Sequence, residues 1–100
     1  MNDYKSFKEF YPFYLGEHAN SICRTLHFIG TSFVLAILLV SFVLNEFKIL
    51  LFCPIIGYGF AWIGHFVFEK NKPATFKYPL YSFMGDFVMF WQLLTGKLHF

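Results

Sequence analysis

Thr25-Leu26-His27-Phe28-Ile29-Gly30-Thr31-Ser32-Phe33-Val34-Leu35-Ala36-Ile37-Leu38-Leu39-Val40-Ser41-Phe42-Val43-Leu44 carries no acidic side chain, and its one basic side chain is His27. Twenty residues at ~1.5 Å rise cover the ~30 Å hydrocarbon layer of a bilayer. After the short polar turn Asn45-Glu46-Phe47-Lys48, a second run of equal length extends from Ile49 to Phe68, interrupted near its end by His65. Two apolar runs joined by so short a turn form an antiparallel helical hairpin. The fold expected is therefore all-α and membrane-integral. Pro54, near the start of the second run, marks a helix start or a kink.

Composition agrees with this reading. Hydrophobic residues make up 57% of the 100-residue chain and charged residues 14%, where soluble domains carry about a quarter charged. So small a chain has little interior, so much of that apolar surface must face lipid. The net charge of +2 is too small to point to nucleic acid. About two dozen residues of mixed charge precede the first apolar run, so no cleavable leader is expected.

Outside the hairpin the pattern becomes amphipathic. Phe7, Phe10, Tyr11 and Tyr14 share one helical face, although Pro12 argues against one straight helix there. Phe83, Phe87, Phe90, Trp91 and Leu94 repeat the pattern before Gly96, with Asp86 arguing against a third span. Glu69 to Pro79 is expected to be a loop. The chain reads as a single membrane domain, 1–100. It has an amphipathic segment at 4–15, spans at 25–44 and 49–68, and an amphipathic helix at 80–95, about four helices in all. The flanking segments would lie in the membrane interface or pack under the hairpin. Lys5, Lys8 and Arg24 precede the first span and Lys70, Lys72, Lys77 and Lys97 follow the second, against Lys48 alone in the turn. Both termini are thus expected in the cytosol, at the inner membrane of a bacterium or the endoplasmic reticulum of a eukaryote. Cys23 and Cys53 fall roughly 25 Å apart by helical rise and are expected to be free thiols.

The hairpin also places the histidines. His27 lies about 19 residues before the turn and His65 about 19 after it, so both sit ~29 Å from the turn, at one depth on neighbouring helices. Ionisable groups inside spans are costly and usually functional. Glu69, four residues beyond His65, is a further ligand or a group that orients the ring. His18 precedes His27 by nine residues, which on one unbroken helix puts the rings on opposite faces. A shared site needs a bend, and Gly16 and Asn20-Ser21 are the residues to make it. Imidazoles with one carboxylate suit iron(II), zinc or copper, and two facing imidazoles also suit haem. A non-catalytic lipid-binding or partner-binding membrane protein is the reading from another class.

Three stretches carry a resemblance. They are Tyr11-Pro12-Phe13-Tyr14-Leu15-Gly16-Glu17-His18 with Asn20, Leu26-His27-Phe28-Ile29-Gly30, and Gly57 to Phe76 with Gly64-His65, Phe68-Glu69-Lys70-Asn71 and Pro73-Ala74 at its heart. The chain resembles a membrane family long catalogued as a domain of unknown function, whose characterised fungal members are iron(II)-dependent 2-hydroxy-fatty-acid dioxygenases of fatty acid alpha-oxidation. The resemblance implies His18, His27 and His65 as the catalytic metal set, with Asn20 and Glu69 at other polar motif positions. It implies a long-chain 2-hydroxy fatty acid and dioxygen as substrates and the acid one carbon shorter as product. Iron(II) is implied ahead of zinc. Arg24, Lys70 or Lys72 would attract the substrate carboxylate, and the acyl tail would lie along the groove between the spans. The characterised members carry extra hydrophobic segments between the motifs, where this chain has only its short turn. It looks closer to compact bacterial members.

Overall fold

The structure is a computed structural model that describes residues 4–100; residues 1–3 of the expected domain lie outside it. It is all-helical, with four α-helices and no strand among the described residues.

The first helix, α1, covers Phe7–Glu17. Ser6 caps it by accepting from the Glu9 amide at 3.2 Å, and the Glu9 carboxylate accepts from the Lys5 amide at 3.3 Å. Two amides at the helix start thereby find partners. Pro12, which argued against one straight helix here, lies inside a continuous α1. Proline denies the Lys8 carbonyl its intrahelical donor. Lys8 and Pro12 are both exposed, so water satisfies that carbonyl.

Asn20 caps the second helix, α2, Ser21–Leu44, its Oδ1 accepting from the amides of Ile22 at 2.9 Å and Cys23 at 3.1 Å. The chain therefore breaks between Glu17 and Ser21, and His18 sits at the break. At its far end α2 stops on Asn45 in the left-handed region, φ 53°, with the Glu46 amide reaching back to the Ser41 carbonyl at 2.9 Å. Asparagine tolerates this conformation better than most residues.

The return leg was expected to be one helix over 49–68. It is three helical forms end to end: a 3-10 turn Phe47–Leu51, the third α-helix, α3, Phe52–Ile63, and a π turn Gly64–Glu69. Pro54 is the third residue of α3, in the first turn, where no intrahelical donor is required of it. Both legs are long and apolar enough to cross a membrane: 24 residues for Ser21–Leu44 and 23 for Phe47–Glu69. A 3-10 turn, Ala74–Phe76, interrupts the loop that leads to α4, Pro79–Leu94.

The flanking helices pack under the open end of the hairpin rather than standing apart from it. Phe10 and Tyr14 of α1 are buried with Met89 and Leu93 of α4 and with Ala74. Phe28 of α2 stacks on Phe90 of α4 at a centroid distance of 4.8 Å. Glycines permit close approaches between the helices. A Cβ at Gly85 would lie 2.9 Å from the Tyr14 ring, and one at Gly64 would lie 3.3 Å from the Cys23 backbone.

Candidate metal centre

Each histidine arrives by a different local device. His18 stands at the break between α1 and α2, His27 on the second turn of α2, and His65 in the π turn. The break removes the half-turn that nine residues of continuous helix would put between His18 and His27. The π turn adds a residue per turn, and such insertions recur at functional sites. One ring nitrogen from each histidine lies within 4.8 Å of the others. His18 Nε2 is 2.8 Å from His65 Nε2 and 3.1 Å from His27 Nε2. The rings are nearly perpendicular in pairs, at 78–87°. Exposure is 1% for His18, 5% for His27 and 2% for His65.

The other ring nitrogens settle the tautomers. His18 Nδ1 lies 2.7 Å from the Tyr14 carbonyl and His27 Nδ1 2.9 Å from the Cys23 carbonyl. Carbonyl oxygens only accept, so both Nδ1 atoms carry the proton. His65 Nδ1 lies 2.7 Å from Asn71 Oδ1, while Asn71 Nδ2 donates to the Glu17 carbonyl at 3.1 Å. That second bond fixes the amide orientation, so His65 also donates through Nδ1. In the neutral rings all three Nε2 atoms then present lone pairs to one another. Burial, reinforced by the two neighbouring imidazoles, holds the His18 pKa well below the usual histidine range, so this ring stays neutral at pH 7. Three buried lone pairs within 4.8 Å of one another repel unless a cation lies between them.

The spacing suits such a cation. Two imidazoles bound at ~2.0–2.1 Å and set at right angles place their nitrogens about 2.9 Å apart, as the two short Nε2 separations do. Metal-bound histidines characteristically donate their other N–H to a carbonyl or carboxylate. A haem between two of these rings would need them on opposite sides of a flat macrocycle, and the third ring closes that gap. The residues present can hold one metal ion.

The other expected site residues lie elsewhere. Glu69 does not join the three nitrogens; its carboxylate accepts from the Asn20 backbone amide and so ties the π turn to the start of α2. The Asn20 side chain is the α2 cap. The Arg24 guanidinium donates to the His18 carbonyl at 2.6 Å and to the His99 carbonyl at 2.7 Å, bracing the break after α1. Lys70 and Lys72 are exposed. None of the three cations lines a cavity at the site.

Sequence reasoning missed Asn71 as the partner of His65, and it missed the α4 side of the site. Tyr14 stacks on His18 at 4.0 Å, and its hydroxyl donates to the Asp86 carboxylate. Burial pushes the Asp86 carboxyl up to about 6, with the Tyr14 bond opposing the rise. Tyr14, Ser82 and Asp86 wall a small cavity with the three histidines. A second, largely apolar cavity of about 220 Å³ adjoins it between α2, α3 and α4, lined by His27, Thr31, Gly57, Tyr58, Asp86 and Phe87 among others. The available signal was Ser82 and Asp86 at i, i+4 in a largely apolar helix.

Residues 4–98 match the protein-family model described as 2-hydroxy-palmitic acid dioxygenase Mpo1-like. The chain belongs to that family. Searches of curated proteins and of solved structures found no match. The Mpo1-like description carries a dioxygenase activity on a 2-hydroxy fatty acid, and the matched range contains all three converging histidines.

Proposed function

We propose that this protein is a membrane-embedded, iron(II)-dependent dioxygenase that shortens a long-chain 2-hydroxy fatty acid by one carbon. The observation that carries the reading is the convergence of three Nε2 lone pairs, each fixed from behind by an Nδ1 partner. The overall change balances as R–CH(OH)–COOH plus O2 giving R–COOH, CO2 and H2O. The bond between C1 and C2 breaks, C1 leaves as carbon dioxide, and C2 is oxidised to the new carboxyl. Bound iron(II) would supply the dioxygen chemistry that side chains lack.

The chain's own residues supply position and shielding. His18, His27 and His65 are the ligand set. Asn71 and the two backbone carbonyls hold the rings in the tautomer that leaves Nε2 unprotonated. The apolar cavity adjoining His27 takes the acyl tail: from His27 to Val34 it follows α2 for seven residues, about 10 Å of helix. Lys70 and Lys72, exposed beyond the π turn, draw the anionic head toward this end of the hairpin by long-range attraction. The two long legs lie in the membrane with both termini cytosolic. Their exposed apolar side chains support that placement, Leu39 at 65%, Val43 at 72% and Ile55 at 68% among them.

Elemental analysis of detergent-purified protein tests the metal, beside oxygen uptake with 2-hydroxyhexadecanoate. One iron per chain and production of pentadecanoate are expected. Stoichiometric zinc with no oxygen uptake, or no metal at all, would sink the proposal.

A further inference from the structure

Four serines and threonines in or at the ends of helices return their hydroxyls to their own backbone. Thr25, Ser32, Ser41 and Thr95 each donate to a carbonyl three or four residues earlier. Ser82 does not. It is 2% exposed, it walls the histidine cavity, and its Oγ is the one buried side-chain polar atom without a partner among the described residues. A hydroxyl buried in this way is costly, and folded proteins hold few of them. Its place beside a cavity leaves it free to bond a polar group that enters there.

Asp86 lies one turn along α4 on the same face. It walls both cavities, so it stands where the apolar groove meets the imidazoles. Tyr14 donates to Oδ1 and fixes the carboxylate's orientation. Gly85 lets α4 come down onto the Tyr14 ring, which sets the whole pair at that junction. One helix therefore presents a donor and an acceptor, four residues apart, opposite three converging imidazoles.

We propose that Ser82 and Asp86 recognise the head of the 2-hydroxy acid: Ser82 donates to the substrate carboxylate, and Asp86 accepts from the 2-hydroxyl. The inference rests on reading the site as one for such an acid. It explains how the protein rejects the ordinary fatty acids that surround it in a membrane. An unsubstituted acid brings a C–H to Asp86 and leaves a buried acceptor without a donor. Sites built around a substrate hydroxyl reject the analogue lacking it far more strongly than apolar pockets reject a changed methylene.

The test is anaerobic binding to the metal-loaded protein, with hexadecanoate, 2-hydroxyhexadecanoate and 2-fluorohexadecanoate as ligands. Wild type should prefer the hydroxy acid by about tenfold or more, and the fluoro acid, which has no proton to donate, should bind like hexadecanoate. Ser82→Ala should weaken both hexadecanoate and its hydroxy derivative by about the same factor, roughly five- to tenfold. Asp86→Asn should weaken the hydroxy acid alone and so erase the preference. Metal content should stay at the wild-type level in both variants. Ligand-free Ser82→Ala should melt no lower than wild type, since it removes an unpaired hydroxyl; a lower melting temperature with unchanged affinity would make Ser82 structural and overturn the proposal. Equal binding of the fluoro and hydroxy acids would overturn it on wild type alone, whatever the folding of Asp86→Asn. A metal-loaded wild type whose preference survives in both variants sinks this inference and spares the functional reading. A wild type without metal, or without preference for the hydroxy acid, sinks both.

Discussion

The two ends of the hairpin obey opposite rules. At the open end the chain buries polar side chains: His18, His27, His65 and Ser82 are all 5% exposed or less. At the turn end it leaves its most apolar ones uncovered, with Phe42 at 69%, Val43 at 72%, Leu44 at 64% and Leu51 at 75%. A water-soluble fold would invert both. The contrast teaches that the flanking helices are not there to bury apolar surface in general. α1 and α4 cover only the end that holds the imidazoles, where they shield a polar site from its surroundings. Covering the rest is left to the surrounding medium.

The largest test of this contrast removes a ligand. His65→Ala leaves two imidazoles and should lower metal affinity by more than about a hundredfold, since even outer partners of metal ligands are worth ten- to hundredfold. Metal titration of the detergent-solubilised variant reads this. Circular dichroism should keep its helical amplitude, because the hairpin is built elsewhere. Metal retained at wild-type affinity would mean that the buried polar end is merely structural.

A second test uses acid. The Asp86 carboxyl is raised from 3.8 to about 6 by burial. A raised group contributes its stability below its unfolded pKa and loses it as pH rises through the folded one. The loss at pH 7 corresponds to roughly 3 kcal/mol. His18 is depressed below 6.5, so its contribution has the opposite sign: it is present above pH 6.5 and lost as pH falls toward the folded pKa. Between pH 4 and 6.5 the two oppose each other in the metal-free protein. Asp86→Asn removes one of them. Its melting temperature should match wild type at pH 4, exceed it at pH 7, and rise more steeply in between. Parallel curves for the two proteins would show that Asp86 is not held in a desolvated place.

A smaller effect is expected one layer behind the metal. Asn71→Ala deletes the acceptor that orients His65 and should weaken metal binding by about ten- to hundredfold, less than loss of the ring itself. Asn71→Asp restores an acceptor at the same reach, so it should recover most of that loss. Identical affinities for wild type, Asn71→Ala and Asn71→Asp would break the argument from tautomers.

The turn end of the hairpin was legible in sequence because its cause is local: an uninterrupted run of apolar residues needs no tertiary knowledge. The equal distance of His27 and His65 from the turn was legible for the same reason. The His18 position depended on a break that Asn20 makes by capping α2, and its residue type pointed there. What stayed hidden is long-range or cooperative. The π turn at Gly64–Glu69 begins where Gly64 packs on the Cys23 backbone, and no local signal distinguishes it from α-helix. The Tyr14–Asp86 bond joins residues 72 apart. Pro12 misled because a rule about helix interiors ignores which face the freed carbonyl lies on. The Arg24 contacts are likewise long-range, its planar fork reaching two backbone carbonyls, one of them 75 residues away.

The smallest expected effect sharpens the comparison from its other side. Leu51 closes the 3-10 turn at the turn end of the hairpin and is 75% exposed. Were it packed, truncation would cost about 2–5 kcal/mol. Touching little of the protein, Leu51→Ala should shift unfolding in detergent by no more than about 0.5 kcal/mol and leave metal affinity unchanged. The informative partner is Leu51→Lys, which should be as harmless in micelles, where the lysine stem can bend its charge to water. In a bilayer the same charge near the far membrane surface should lower the fraction of correctly inserted protein, by a depth-dependent cost of up to ~3 kcal/mol. Equal insertion of Leu51→Lys and wild type into vesicles would place this end of the hairpin outside the hydrocarbon layer. The uncovered leucines would then need a protein partner instead of lipid.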